Sequence, residues 1–381
     1  MQQLPYWRLA GAYFFYFAYI GAFAPYFSLY LSALGITAVG IGIIMALPQL
    51  VRIPAPHLWG WLADRSGRCM RTARIGTLIG TVIYCGLFAV RSFEALSAVV
   101  LLMSFFLSAA LPLTEVATFT HLGKQASRYG RIRVWGSVGF IAAVLIVGYL
   151  LDSLPVTALV WIMLVVLLGT LALLMLVPEA QQAEHPHDHP PIAHVIRQPD
   201  VIALIVACAL MAIAHGPYYT FYSIYLVDYG YTKGAVGWLW GIGVVCEIAI
   251  FFWMSHLFRA YTLRQILIAS FGLAALRFLM IAWYADSLTM LLLAQSLHAA
   301  SFGSFHAAAL GYINQCFRGR YQARGQALYT SLSFGLGGTF GGLYAGYAWE
   351  RLGAGLTFTG AALCALIGMV ILWSKLKSGE R

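Results

Sequence analysis

Gly60-Trp61-Leu62-Ala63-Asp64-Arg65-Ser66-Gly67-Arg68, followed by Arg71 and Arg74, forms a short basic loop between two apolar runs, roughly 39–62 and 73–91. A membrane helix needs about 20 mostly apolar residues, and both flanks meet that length. Outward from the loop the same pattern recurs at roughly 7–31, 95–121, 134–152 and 155–178. Six more runs follow at roughly 200–228, 234–258, 265–285, 288–316, 326–349 and 354–374. The one substantial polar stretch, Glu179 to Pro199, separates six from six. The spacing predicts an all-α membrane protein of twelve transmembrane helices in two six-helix bundles. Residues 1–178 and 200–381 form the bundles, and 179–199 is a cytoplasmic linker.

Composition agrees. The 381 residues are 61% hydrophobic and only 9% charged, against about 25% charged in soluble proteins. The excess of 23 basic over 13 acidic residues resembles a nucleic-acid signal until its distribution is read. With both termini cytoplasmic, 18 Lys and Arg face the cytoplasm, three face outside and two are embedded. That asymmetry is the positive-inside pattern, so nucleic acid is not needed to explain it. The run 7–31 is too long for a signal-peptide core and lacks a cleavage site, so it reads as a first membrane helix. Six scattered cysteines without a CxxC pair read as packing residues. His185, His187, His189 and His194 form a histidine-rich tract without scaffolding, read as adventitious rather than a metal site. No nucleophile–base pair, metal-ligand set or phosphate-binding glycine loop stands out. The expectation is neither an enzyme nor a cofactor binder.

Four charges interrupt the apolar runs: Arg52, Glu115, Glu247 and Arg277. Ionisable residues in a bilayer are costly and mark substrate, ion or proton paths. The halves also echo one another. Tyr30-Leu31, Gly35-Ile36-Thr37 and Val39-Gly40 recur as Tyr225-Leu226, Gly230-Tyr231-Thr232 and Val236-Gly237. Arg52 and Glu247 each lie 17 residues past the shared glycine. Repeated halves around a binding site are a transporter architecture. Glu247 lies 12 residues before Arg259 and Arg277 lies 13 after Arg264, placing both at roughly 18–20 Å depth at 1.5 Å rise per residue. They are expected to pair or alternate as partners. Pro48, Pro54 and Pro56 predict a kink around Arg52. Gly337, Gly338, Gly341, Gly342 and Gly346 predict close helix packing. Tyr16, Tyr19, Phe23, Tyr26 and Tyr30 share one face of the first helix, and His215, Tyr218, Tyr222 and Tyr225 one face of the seventh. Tyrosines so placed suit an aromatic or amphipathic solute; interhelix packing is the plainer reading of each alone.

The loop Gly60, Asp64, Arg65, Gly67, Arg68 resembles the GxxxDRxGR motif of the major facilitator superfamily, a gating and packing element. In that reading Gly60 lets helices approach and Asp64 pairs with cations or a helix end. Tyr129-Gly130-Arg131-Ile132-Arg133-Val134-Trp135-Gly136-Ser137 resembles the segment opening helix 5 in lactose permease and its relatives. There a glutamate 18 residues before the second arginine joins it in holding substrate, which matches Glu115 and Arg133, and a stacking aromatic matches Phe140. Glu247 and Arg277 match the permease's buried acid and arginine, and Leu297-His298 its leucine–histidine step. The permease's proton-carrying glutamate, three residues on, corresponds here to Ser301, which cannot titrate. The carrier is then sought among Glu115, Glu247, His298 and His306, since histidine titrates near neutrality and burial shifts a carboxylic acid towards it.

The resemblance covers nearly the whole chain and falls in the cluster of lactose permeases, nucleoside/proton symporters and phenylpropionic acid transporters. Pro112-Leu113-Thr114-Glu115 and the spaced His298 and His306 look most like the last. This implies a monomeric bacterial inner-membrane transporter, embedded in lipid, taking up a small aromatic carboxylate with a proton by alternating access. Arg133 or Arg277 would hold the carboxylate, with Tyr19, Tyr26, Tyr218, Tyr222 and Phe140 lining the apolar part. A nucleoside or sugar/proton symporter, an exporter of amphipathic compounds and a transport-inactive sensor remain as alternatives.

Overall fold

The computed structural model describes residues 4–179 and 193–376. Every regular element among them is helical. The first half contains α1 (Tyr6–Ala33), α2 (Ala38–Val51), α3 (Ala55–Ser66), α4 (Cys69–Tyr84), α5 (Phe93–Leu107), α6 (Ala110–Leu122), α7 (Tyr129–Ser153) and α8 (Leu159–Leu176). After the short α9 (Ala193–Ile196) come α10 (Pro199–Asp228), α11 (Lys233–Ala260), α12 (Leu263–Trp283), α13 (Leu288–Ser296), α14 (Phe305–Cys316), α15 (Gln322–Tyr329) and α16 (Gly338–Lys375). Nine stretches of the described residues are long and apolar enough to cross a membrane. Two of them, Phe93–Ser153 and Arg324–Lys375, are each long enough for two crossings, and α4 is a shorter further helix. This accommodates the twelve spans read from sequence.

Breaks follow local chemistry. The second span is two helices, α2 and α3, interrupted over 52–54 with Pro54 as N-cap, because proline lacks the N–H that would continue the ladder. α16 turns at Gly353, whose φ of +78° favours glycine. The tenth and eleventh spans contain π-helical segments at Ala299–Ser304 and Thr330–Gly337. Such segments are rare and frequent at functional sites.

The chain forms two compact units. One takes the first span, the second from Val51 onward with α3, and the third to sixth, together with Thr232–Trp238; the other takes the last six spans, apart from that piece, together with Thr37–Leu50. In the first unit α1 and α7 touch backbone to backbone: a Cβ at Gly139 would overlap the Phe14 carbonyl oxygen, and one at Gly21 would lie 2.7 Å from that of Phe140. Leu9, Tyr13, Trp59, Met70, Leu113, Ile132 and Leu174 share its buried core. In the second unit Gly341 packs against Gly216, and Gly342 and Gly346 against Gly42, so the glycines of the eleventh span serve packing within the chain. Large apolar side chains remain open on the outer faces, with Phe252 80% and Val165 67% exposed. Such faces suit hydrocarbon rather than water.

Three acids close helix starts. Glu179 accepts from the Met70 and Arg71 amides at 2.8 and 3.0 Å, capping α4. Asp152, ending α7, accepts from the Lys233 and Gly234 amides at 2.7 and 3.0 Å. Glu350, at the equivalent end of the eleventh span, accepts from the Val39 amide at 3.0 Å. The latter two caps sit at repeat-related places, each satisfying amide groups that a helix start leaves unpaired.

Candidate functional site

In the second unit one charged side chain is completely buried. Arg277 of α12 has no exposed surface. Its guanidinium lies 4.2 Å above the Tyr218 ring and 5.5 Å from that of Phe278, contacts that partly offset a cation's desolvation. Nη1 donates to Ser301 Oγ at 3.2 Å and faces His215 Nε2 at 3.5 Å. His215 Nδ1 is 2.9 Å from the Met211 carbonyl, so that nitrogen carries the proton. Nε2 is then a lone pair turned to the arginine, and the imidazole is neutral. Nε and Nη2 of Arg277 make no hydrogen bond. These two atoms form one edge of the guanidinium, the fork that matches the two oxygens of a carboxylate.

Around the arginine, α10, α11 and the tenth span contribute an aromatic and polar wall. Tyr218 stacks near Tyr222 at 4.8 Å, Trp240 at 4.6 Å and His298 at 5.7 Å between ring centroids. His298 stacks on Phe302 at 5.5 Å, and Phe302 on His306 at 6.2 Å. The π segment brings these rings and Ser301 together. Its Gly303 permits a close approach to α11, since a Cβ there would stand 3.1 Å from Glu247 Cγ. Glu247 Oε2 lies 3.8 Å from His298 Nε2, a contact the expected Glu247–Arg277 partnership did not include. His306 Nδ1 is 3.2 Å from the Tyr329 hydroxyl.

In the first unit the expected residues are closely neighboured but differently paired. Glu115 accepts from the Tyr129 hydroxyl at 3.0 Å. Arg133 lies 3.9 Å over the Phe17 ring and 5.8 Å from that of Tyr13. Among the described residues no ion pair joins Glu115 to Arg133, because the ring and the hydroxyl hold the two groups separately. Phe140 is half-buried, its carbonyl set against Gly21. Tyr19 stacks on Phe23 at 6.0 Å. Tyr26 is fully buried and spends its hydroxyl on the Val144 and Lys233 carbonyls at 2.6 and 3.2 Å. Arg52 is exposed where the second span breaks.

The gating loop needs two corrections. A Cβ at Gly60 would meet nothing within 4 Å. The expectation that Gly60 admits a close helix therefore fails; the neighbouring Ala63 and Trp59 face the core instead. Asp64 is exposed, and its carboxylate has no hydrogen bond or ion pair among the described residues; its carbonyl accepts from the Gly67 amide, where α3 ends at φ +62°. Arg65 packs over Trp61 at 5.4 Å, and Arg68 is exposed. Of the histidine tract, only His194 is among the described residues, where it is exposed and edges onto Tyr321.

Three site residues carry little distinct signal in the sequence. His215 reads only as part of an aromatic face, and Tyr129 only as part of a motif. The third is Gln295, buried in α13 and accepting from the Tyr218 hydroxyl at 3.1 Å. A lone amide three residues before His298 in an apolar run was the available signal.

Residues 6–360 match the family described as "MFS_1 like family". Over 95% of this chain and 96% of the relative, the sequence is 29% identical to a "Probable 3-phenylpropionic acid transporter" of Escherichia coli (strain K12). It is 27% identical to a maltose permease of Geobacillus stearothermophilus, over 94% of this chain and 92% of that one. The crystal structure of nucleoside transporter NupG superposes with a TM-score of 0.85 at 17% identity, covering 98% of this chain and 99% of that one.

Proposed function

The chain belongs to the MFS_1 like family and is a multi-pass membrane transporter, not an enzyme; on that premise we propose proton-coupled uptake of a small aromatic monocarboxylate such as 3-phenylpropionic acid. The observation that carries this reading is Arg277. A buried guanidinium whose Nε and Nη2 are unpaired, and whose Nη1 meets only a hydroxyl and a neutral imidazole, is built to receive a two-oxygen anion. The rings of Tyr218 and Phe278 beside it, with Phe302 next to His215 and His298, suit an aryl body. The name of the relative at 29% identity points to the same substrate class.

In this reading Arg277 binds the carboxylate, and the neighbouring Glu247 and His298 hold the coupled proton. Arg133, with Phe17 and Phe140, is a second candidate for contact with substrate. Glu115 and His306 are the reserve proton groups, Tyr19 and Tyr222 line the solute path, and Tyr26 acts through packing. The gating loop of Gly60, Asp64, Arg65, Gly67 and Arg68 changes its contacts as access alternates. The protein works as a monomer in a bacterial inner membrane, with cytoplasmic termini. The maltose permease and NupG likenesses favour a sugar or nucleoside instead, but a neutral solute brings no charge to the Arg277 fork.

The test is a thermal-shift screen of the purified full chain with aromatic acids, nucleosides and sugars. Proteoliposome uptake follows, with the external pH recorded. Stabilisation by 3-phenylpropionate and alkalinisation of the medium on its addition are the expected results. Stabilisation by sugars alone would overturn the carboxylate assignment, and efflux without uptake would reverse the direction.

A further inference from the structure

Beside the Arg277 fork lies a second set of unpaired polar atoms. Gln295 is fully buried. Its Oε1 accepts from the Tyr218 hydroxyl, which leaves Nε2 as the free end of the amide, and Nε2 makes no hydrogen bond. Tyr222 is also fully buried, and its hydroxyl lies beside Gln295 without completing a hydrogen bond of normal geometry. His298 Nε2 lies 3.8 Å from a Glu247 carboxylate oxygen, so in the neutral imidazole the proton is drawn to that nitrogen and Nδ1 is an acceptor. Nδ1 too is buried and unpaired. All three side chains surround Tyr218, through its hydroxyl or its ring. Gln295 and His298 also flank the same point on α11, lying 3.2 and 3.3 Å from where a Cβ on Gly243 would stand.

Buried polar groups are nearly always satisfied, so this set points to a bound group. Gln295 Nε2 can only donate, His298 Nδ1 accepts while the imidazole is neutral, with the coupled proton on Glu247, and the Tyr222 hydroxyl can do either. A carboxylate could meet the first but not the second. An ammonium has the opposite defect and would be repelled by Arg277. A hydroxyl both donates and accepts. We propose that Gln295, Tyr222 and His298 form a subsite for a hydroxyl group of the substrate, so that the transporter selects hydroxylated aromatic carboxylates over their unsubstituted parents. This rests on the carboxylate reading for the anion and on its own atoms for the hydroxyl.

The test measures dissociation constants of the purified full chain for 3-phenylpropionate and for its ring- and chain-hydroxylated isomers, with nucleosides and sugars alongside. At least one hydroxylated isomer should bind about tenfold or more tightly than the parent, since a site built to hydrogen-bond a hydroxyl discriminates against its absence. In Gln295→Met, and in Tyr222→Phe, which keeps the ring and the packing, that ratio should fall to near one. Ratios near one in the unmodified protein would overturn the proposal, because water alone would then satisfy these groups. Ratios unmoved by either variant would overturn it as well. If no carboxylate binds but a nucleoside or sugar does, and Gln295→Met weakens it, the carboxylate reading falls while the hydroxyl subsite stands.

Discussion

Replacing Arg277 by methionine separates binding from folding. The guanidinium is completely buried, with two unpaired nitrogens and neutral hydrogen-bond acceptors on the third. Methionine fills much of the stem's volume and removes a desolvated charge, a change that is often neutral or stabilising. The ligand-free melting temperature should therefore hold or rise. Binding should collapse: two charge-assisted hydrogen bonds are worth about 1.5–3 kcal/mol each, so their joint loss is about 3–6 kcal/mol, or about 10² to 10⁴ in Kd. At a 3-phenylpropionate concentration of 100 times the original Kd, the ligand adds about 2.7 kcal/mol of stability; with Kd raised a hundredfold it adds only about 0.4. Arg277→Lys keeps the charge but loses the fork, costing one bond and about 10- to 150-fold in Kd. The measurement is a ligand titration by thermal shift, checked by calorimetry. A folded Arg277→Met protein that binds 3-phenylpropionate within about threefold of the original would refute the reasoning, as a difference of that size is below one hydrogen bond.

Glu247→Gln should abolish concentrative, proton-driven uptake in proteoliposomes while counterflow exchange continues; undiminished accumulation would remove Glu247 as the carrier. Gly139→Ala should drive α1 from α7, because its Cβ would overlap the Phe14 carbonyl. Overpacking costs about 1–3 kcal/mol, so its melting temperature should fall clearly, while Gly60→Ala, with open space around it, should not lower it. Asp152→Ala leaves the Lys233 and Gly234 amides without their acceptor. A lost cap costs about 0.5–2 kcal/mol, and faster hydrogen exchange confined to the start of α11 is the expected readout.

The spans were legible because hydrocarbon tolerates only long apolar helices, and the break at Arg52 because proline dictates it locally. The gap between α5 and α6 carries a mark of the same kind, since Pro112 has no N–H to bond the Ser108 carbonyl; the two π segments have none. Packing creates them, as where Gly303 admits Glu247 against the widened turn. The four embedded charges were plain from composition, but their partners were not. Glu115 takes a hydroxyl rather than Arg133, since sequence spacing gives depth in the membrane and not rotation about each helix axis. Gly60 was misread for the same reason. Asp152 and Glu350 escaped notice because an acid at a helix end is ordinarily solvated. Their role shows only when the start of another helix lies beside each.

The Ser301 substitution has a consequence for energetics that can be measured. Where the permease resemblance places a titratable acid, Ser301 gives Arg277 a dipole and no charge. A substrate carboxylate would bring the missing negative charge itself. If one such anion enters with one proton, each cycle carries no net charge. Uptake should then follow a pH gradient and ignore an imposed membrane potential. A neutral sugar or nucleoside entering with a proton moves one charge, worth about 2.3 kcal/mol per 100 mV, which at equilibrium is about a fiftyfold change in accumulation. Proteoliposomes loaded with potassium and treated with valinomycin at equal internal and external pH separate the two. Unchanged 3-phenylpropionate accumulation with the potential on is the expected result. A potential-driven rise of tens-fold would mean that net positive charge enters with the substrate, and the pairing of one carboxylate with one proton would have to be abandoned.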